Sequence, residues 1–197
     1  MAAWRSEWVD AMAPPLARFP QAEPDDVAAR ALPLRLGAML LVLGAFVSLT
    51  TAGRLAPEHL LGTAAMWSFL PALQALALRA ALAAGRARVP FRAALSRYYA
   101  GHGPWYALLL AVAGVCLFAP DVGPALRALL RTGVLPAALL MALGWGMAIQ
   151  AALLRALCPT RGRAALAMVA FYVVLGGSVA GWYVAAGALL PLFGVFL

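Results

Sequence analysis

Runs of some twenty apolar residues recur along this chain, separated by short segments that hold most of its arginines. A helix needs about 20 predominantly apolar residues to cross the hydrocarbon core of a bilayer. Five stretches meet that need, at about 34–52, 60–84, 104–119, 133–157 and 164–190. A helix satisfies every backbone N–H and C=O inside such a stretch, which hydrocarbon demands. Composition agrees: 65% of the 197 residues are hydrophobic and 11% are charged, where soluble domains run at about 45–50% and about 25%. So few charges could not cover a water-facing surface. The expected fold is an all-α integral membrane protein, a five-helix transmembrane bundle (34–197) behind a cytosolic or interfacial segment (1–33). That first segment carries five acids and no early apolar run, so the first span is expected to insert as its own signal.

The arginines orient the bundle. All fifteen basic residues are arginine, which with the abundant alanine suggests a high-GC bacterial genome and hence a bacterial cytoplasmic (inner) membrane. Cytoplasmic flanks of spans carry excess Arg and Lys. Arg79, Arg86, Arg88, Arg92 and Arg97 cluster around the connection after the second stretch, and Arg155, Arg161 and Arg163 around that after the fourth. They are expected at the inner face, against lipid headgroups. The other connections balance Arg54 with Glu58, and set Asp121 beside Arg127 and Arg131. This places the amino terminus inside and the carboxyl terminus outside. The net charge of +8 is thereby assigned to topology, and no nucleic-acid partner is expected.

Near the amino terminus, Trp4, Trp8 and Met12 recur at four-residue spacing, one face of an interfacial helix or of a helix that docks on a soluble partner. Pro24, Asp25 and Asp26 suit a helix start. Pro33 is expected to separate that helix from the first span.

Gln74 is followed five residues later by Arg79, and Gln150 by Arg155, each with a tryptophan upstream and two further arginines downstream. A parallel duplication of helix pairs would produce this pattern, and so would the frequency of Ala, Leu and Arg here. In either case both amides should face the bundle interior, because an unbonded amide in hydrocarbon is costly. Gly177, Gly181 and Ala185 form a small-residue stripe in the fifth stretch where another backbone can approach, and Gly144 and Gly146 of the fourth are candidates to receive it.

Residues 97–106, RYYAGHGPWY, hold one of the two histidines among four aromatics. The expected role is an elbow: Tyr98, Tyr99, Trp105 and Tyr106 in the interfacial aromatic belt, and Pro104 starting the third span. His102 would then sit at the inner boundary as a solvated or headgroup-bonded side chain, and it is the weak candidate for a cofactor ligand. No cofactor or metal is expected otherwise. Ser178 has no histidine within its own or a neighbouring apolar stretch to serve as base. Cys116 and Cys158 are expected as inert buried thiols at opposite membrane faces. The apolar cores contain no carboxylate for a proton relay, and no phosphate loop is present. These features point away from an enzyme.

The basic connections RVPFRAALSRYY and LCPTRGRAALAMVAFYVV, with Phe91 and Arg92 placed shortly before a helix, resemble those of the Yip1-like integral membrane proteins. The resemblance implies a cytosolic amino-terminal segment, five helices, and a non-enzymatic scaffold that works through partner proteins. The aspartate–leucine–tyrosine–glycine–proline signature of eukaryotic members is absent, so GTPase binding and vesicle traffic do not carry over. The other class open to the sequence is an accessory or assembly subunit of a larger bacterial membrane complex, whether energy-converting, photosynthetic or transport, in contact with pigment, haem or lipid. Either way the partners expected are the bilayer and other membrane proteins.

Overall fold

A continuous apolar run gives a helix no single wet face, and the helices here are correspondingly long. The computed structural model describes residues 25–119 and 121–189, and every element in them is helical: α1 (Asp25–Ala52), α2 (Pro57–Trp67), α3 (Phe69–Gly85), α4 (Phe91–Ala100), α5 (Gly103–Phe118), α6 (Val122–Arg131), α7 (Val134–Leu157) and α8 (Arg161–Leu189). Five units are long and apolar enough to cross a membrane: α1, α2 with α3, α4 with α5, α7, and α8. Trp4, Trp8 and the interfacial helix expected around them lie outside the described residues.

Three boundaries differ from the sequence expectation, each through a proline. Pro33 does not end a helix; it lies inside the 28-residue α1, which runs on from Asp25 without a break. Pro71 has no N–H for the carbonyl of Trp67, and the helix breaks one residue further on at Ser68, between α2 and α3. Pro104 likewise leaves the carbonyl of Ala100 without its usual donor. There the chain tightens by one turn, with the amide of His102 donating to Tyr99 O at 3.1 Å, and then continues. The third span therefore covers Phe91–Phe118 rather than starting at residue 104. The connection after it, expected as a loop, forms the short α6. Asp121 opens α6 by accepting from the amide of Gly123 at 2.9 Å.

Packing is concentrated at the arginine-rich end. α8 lies chiefly along α3, and α1 lies along α4 and α2. Ala77, Leu78 and Ala81 of α3 meet Leu153 and Leu154 of α7 and Ala164, Ala167 and Phe171 of α8 in one buried cluster. Gly85 makes the α3–α8 approach possible: a Cβ there would stand 2.5 Å from Cys158 Sγ and 3.1 Å from the Ala167 Cβ. The chain turns immediately afterwards, with Arg86 left-handed at φ 53° and the amide of Ala87 donating back to Leu82 O at 3.0 Å. This is a Schellman ending whose usual glycine position is taken by arginine. Gly44 serves α1 in the same way, its missing Cβ admitting the carbonyl of Leu60.

Candidate functional site

Inside the span regions, polar side chains converge on one cavity of about 370 Å³ between α1, α3, α5, α7 and α8. Gln74 on α3 and Gln150 on α7 line it, at 8% and 7% exposure, as does His102 at the joint of α4 and α5. His102 and Gln74 each lie eleven residues from the arginine-rich ends of their spans. At 1.5 Å per residue that is about 16 Å, near the middle of a ~30 Å core. Apart from these groups the lining is mainly apolar, from Met39 and Leu43 on α1 to Phe171 and Leu175 on α8.

The hydrogen bonds leave two polar vectors open. His102 Nδ1 lies 3.0 Å from the carbonyl of Tyr98. A carbonyl only accepts, so Nδ1 carries the hydrogen and, in the neutral ring, Nε2 is an acceptor. The Gln74 amide nitrogen faces Nε2 at 3.5 Å, a long contact. Gln74 Oε1 then has no partner among the described residues. On the other wall, the Tyr172 hydroxyl donates to Gln150 Oε1 at 3.0 Å, and Gln150 Nε2 has no partner among the described residues. Both open amide atoms are closed off by the surrounding side chains.

Aromatic rings fix this geometry. Tyr98 meets His102 edge-on with centroids 4.8 Å apart, and touches Phe171 at 5.5 Å. Tyr99, 1% exposed, donates its hydroxyl to the Pro71 carbonyl at 2.8 Å, clamping α4 on the bend of the second span. The interfacial belt expected of these residues is not formed: Tyr98, Tyr99 and Tyr106 are buried. Trp105 is also drawn inward, its indole nitrogen 3.1 Å from where a Cβ on Gly146 would stand. Gly146 thus receives Trp105 and not the stripe of α8. The four-residue spacing of Tyr98, His102 and Tyr106, one face of a continuous helix, was the signal available in the sequence.

Charge enters from the α1–α4 seam. Arg97, expected at the headgroups, is buried and pairs with Asp25 Oδ1 at 2.9 Å. Arg35, which no motif marked, is buried ten residues into α1 and donates to Ser96 Oγ at 2.6 Å. Both arginines are held by α4 or α1 side chains on the neighbouring helix, so the seam carries its charges paired or hydrogen-bonded, as hydrocarbon requires. The remaining arginines stay outward: Arg79, Arg86, Arg88, Arg92, Arg155 and Arg161 are exposed and Arg163 is half-buried. Arg79 sets its guanidinium 5.8 Å from the centre of the Phe91 ring.

Gly177, Gly181, Ala185 and Gly144 are exposed, and nothing lies within 4 Å of where a Cβ would stand on the three glycines. Cys116 and Cys158 are buried free thiols. Among the described residues no three His, Cys, Asp or Glu side chains come together to hold a metal ion. Compared with known proteins, the chain matches no family model, no curated protein and no solved structure.

Proposed function

We propose that the protein is a non-catalytic membrane scaffold that works through helix contacts, as the Yip1-like resemblance of its layout implies. The observation that carries this reading is the open stripe on α8, with Gly177, Gly181 and Ala185 exposed and no helix among the described residues against the two glycines. In hydrocarbon, association rests on close backbone approach, which small residues at four-residue spacing permit. A second copy of the chain is the occupant favoured by this surface, because a two-fold contact places the same stripe on both sides. The test is energy transfer between donor- and acceptor-labelled copies in lipid nanodiscs. Transfer that falls to background in Gly177→Leu/Gly181→Leu supports the reading. Copies that stay separate at high protein-to-lipid ratio overturn it.

The arginine distribution supports an inner membrane placement with the basic end and amino terminus in the cytoplasm. Arg88→Cys should then react with an impermeant maleimide from the inner side and Ala128→Cys from the outer side. The reverse pattern would invert the topology. One observation favours the second reading, an accessory subunit in contact with pigment or haem: His102 lines the cavity. A visible absorption spectrum of the purified protein that changes in His102→Ala would select it.

A further inference from the structure

At the arginine-rich end, one residue holds a strained backbone position and carries a side chain that the fold leaves idle. Arg86 caps α3 at φ 53° and ψ 38°, and among the described residues it is the one non-glycine at positive φ. A Cβ crowds the following carbonyl in that region, so glycine is the usual occupant. The Arg86 side chain is exposed and forms no ion pair among the described residues. Strain kept for such a side chain points to a contact outside the chain.

The surroundings define that contact. Arg88 follows two residues on, Arg155 lies in the last turn of α7, and Arg161 and Arg163 open α8. Gly85 draws the ends of α3 and α8 together, its Cβ position lying 3.6 Å from the Arg163 carbonyl. No carboxylate among the described residues pairs with any of these arginines; Asp25 and Asp26 bond Arg97 and Arg30 instead. Arg161 and Arg163 also stand in the first turn of a 29-residue helix, whose positive end favours an anion in front of it. The depth of the cluster says which anion. Arg79 lies six residues, about 9 Å, inside the end of α3, with its guanidinium near the Phe91 ring. That is deeper than a dissolved polyanion goes, but a side chain of this length snorkels to the level of lipid phosphates. Guanidinium takes phosphate oxygens two at a time, and cations without carboxylate partners call for net negative charge, which a zwitterionic headgroup lacks. We propose that the arginine-rich end binds the headgroup of an anionic phospholipid, with Arg86 in direct contact with its phosphate.

The experiment is native mass spectrometry of the full chain in detergent, with phosphatidylglycerol and phosphatidylcholine of identical acyl chains supplied in equal amounts. Each arginine near an anionic headgroup is worth about 5-fold in binding. The unaltered chain should therefore retain phosphatidylglycerol about 10-fold or more over phosphatidylcholine. Arg86→Gly should lower that preference about 5-fold, while its unfolding midpoint in SDS stays equal or rises because the strain is relieved. Arg127→Ala, on α6 at the other end of the bundle, should leave the preference unchanged. Equal retention of the two lipids by the unaltered chain overturns the inference. So does an unchanged preference in Arg86→Gly, or an equal loss in Arg127→Ala. Displacement of the lipid by millimolar inorganic phosphate would assign the arginines to a free anion and also overturns it. The comparison of the two lipids uses the unaltered chain, so it stands even where a variant fails to fold.

Discussion

The two ends of this bundle are built differently. At the arginine-rich end, Ala77, Leu78 and Ala81 of α3 interlock with Leu153, Leu154, Ala164 and Ala167, and Gly85 brings the backbones into close contact. Toward the other end α8 opens: beyond Phe171 none of its described residues is buried, Val173 and Val184 face outward, and Trp182 stacks on Phe69 of α3 with ring centroids 4.7 Å apart. Lipid tails are as apolar as leucine, so apolarity alone draws no two helices together within a bilayer. They converge where small residues allow approach or polar groups bond across, and the buried residues of α8 lie along its first half. Its second half touches α3 through Trp182 and Phe69, while Gly177 and Gly181 stay open.

The sharpest way to break the contrast is to put the same bulk at each end. Gly85→Leu should cost about 3 kcal/mol or more in SDS-titrated unfolding, since the new side chain meets Cys158 and Ala167. Gly177→Leu should leave the unfolding of the single chain within about 0.5 kcal/mol, because it meets nothing. Equal losses would show that the open face is already filled within the chain.

Next in size comes the charged seam. Asp25→Asn removes the carboxylate that lies 2.9 Å from buried Arg97 and should cost about 1–3 kcal/mol in the same titration. Ser96→Ala takes the hydroxyl from Arg35 and should fall toward the low end of that range. An unchanged midpoint for both would place those guanidiniums in water or headgroups, as the sequence expectation had it for Arg97. Smaller still, Tyr99→Phe should cost about 1 kcal/mol by deleting the hydroxyl that clamps the Pro71 bend.

The smallest effect concerns Cys158, outside the spans. Burial pushes its thiol above the ordinary range, so it should alkylate slowly at neutral pH in the folded chain. Because the folded pKa is raised, the buried neutral thiol contributes stability below the ordinary thiol pKa. That contribution is lost as the pH rises through the folded value. Rapid alkylation near neutral pH, at the rate of an unfolded control, would show that the α3–α8 contact opens readily.

Much of the candidate site was legible beforehand. Gln74 and Gln150 stood out because an amide in hydrocarbon needs a reason, and they do reach the interior. The role of RYYAGHGPWY was not legible. Its glycines and proline read as a boundary, and its aromatics as a belt. A proline preceded by a turn of helix can also be absorbed within a span, and local sequence does not distinguish the two. Here the neighbours decide it: Phe171, Pro71 and Gly146 offer Tyr98, Tyr99 and Trp105 places to pack that the headgroup layer does not. Arg97 misled for a related reason, since a basic residue near a span end suits the interface unless a carboxylate waits on another helix.

Sequence by itself determined the all-helical class of this protein and five helices long and apolar enough to cross a membrane, because length and apolarity act residue by residue against a solvent of fixed thickness. It also marked Gln74 and Gln150 as groups that had to turn inward. Only the tertiary structure decided that His102, Gln74 and Gln150 share one cavity, that two arginines are held on the α1–α4 seam, and that the stripe on α8 faces no helix among the described residues. Those are facts about which helix lies beside which. Neighbour choice in a bilayer rests on close approach and on bonds between distant residues, and neither is written in any single stretch of the chain.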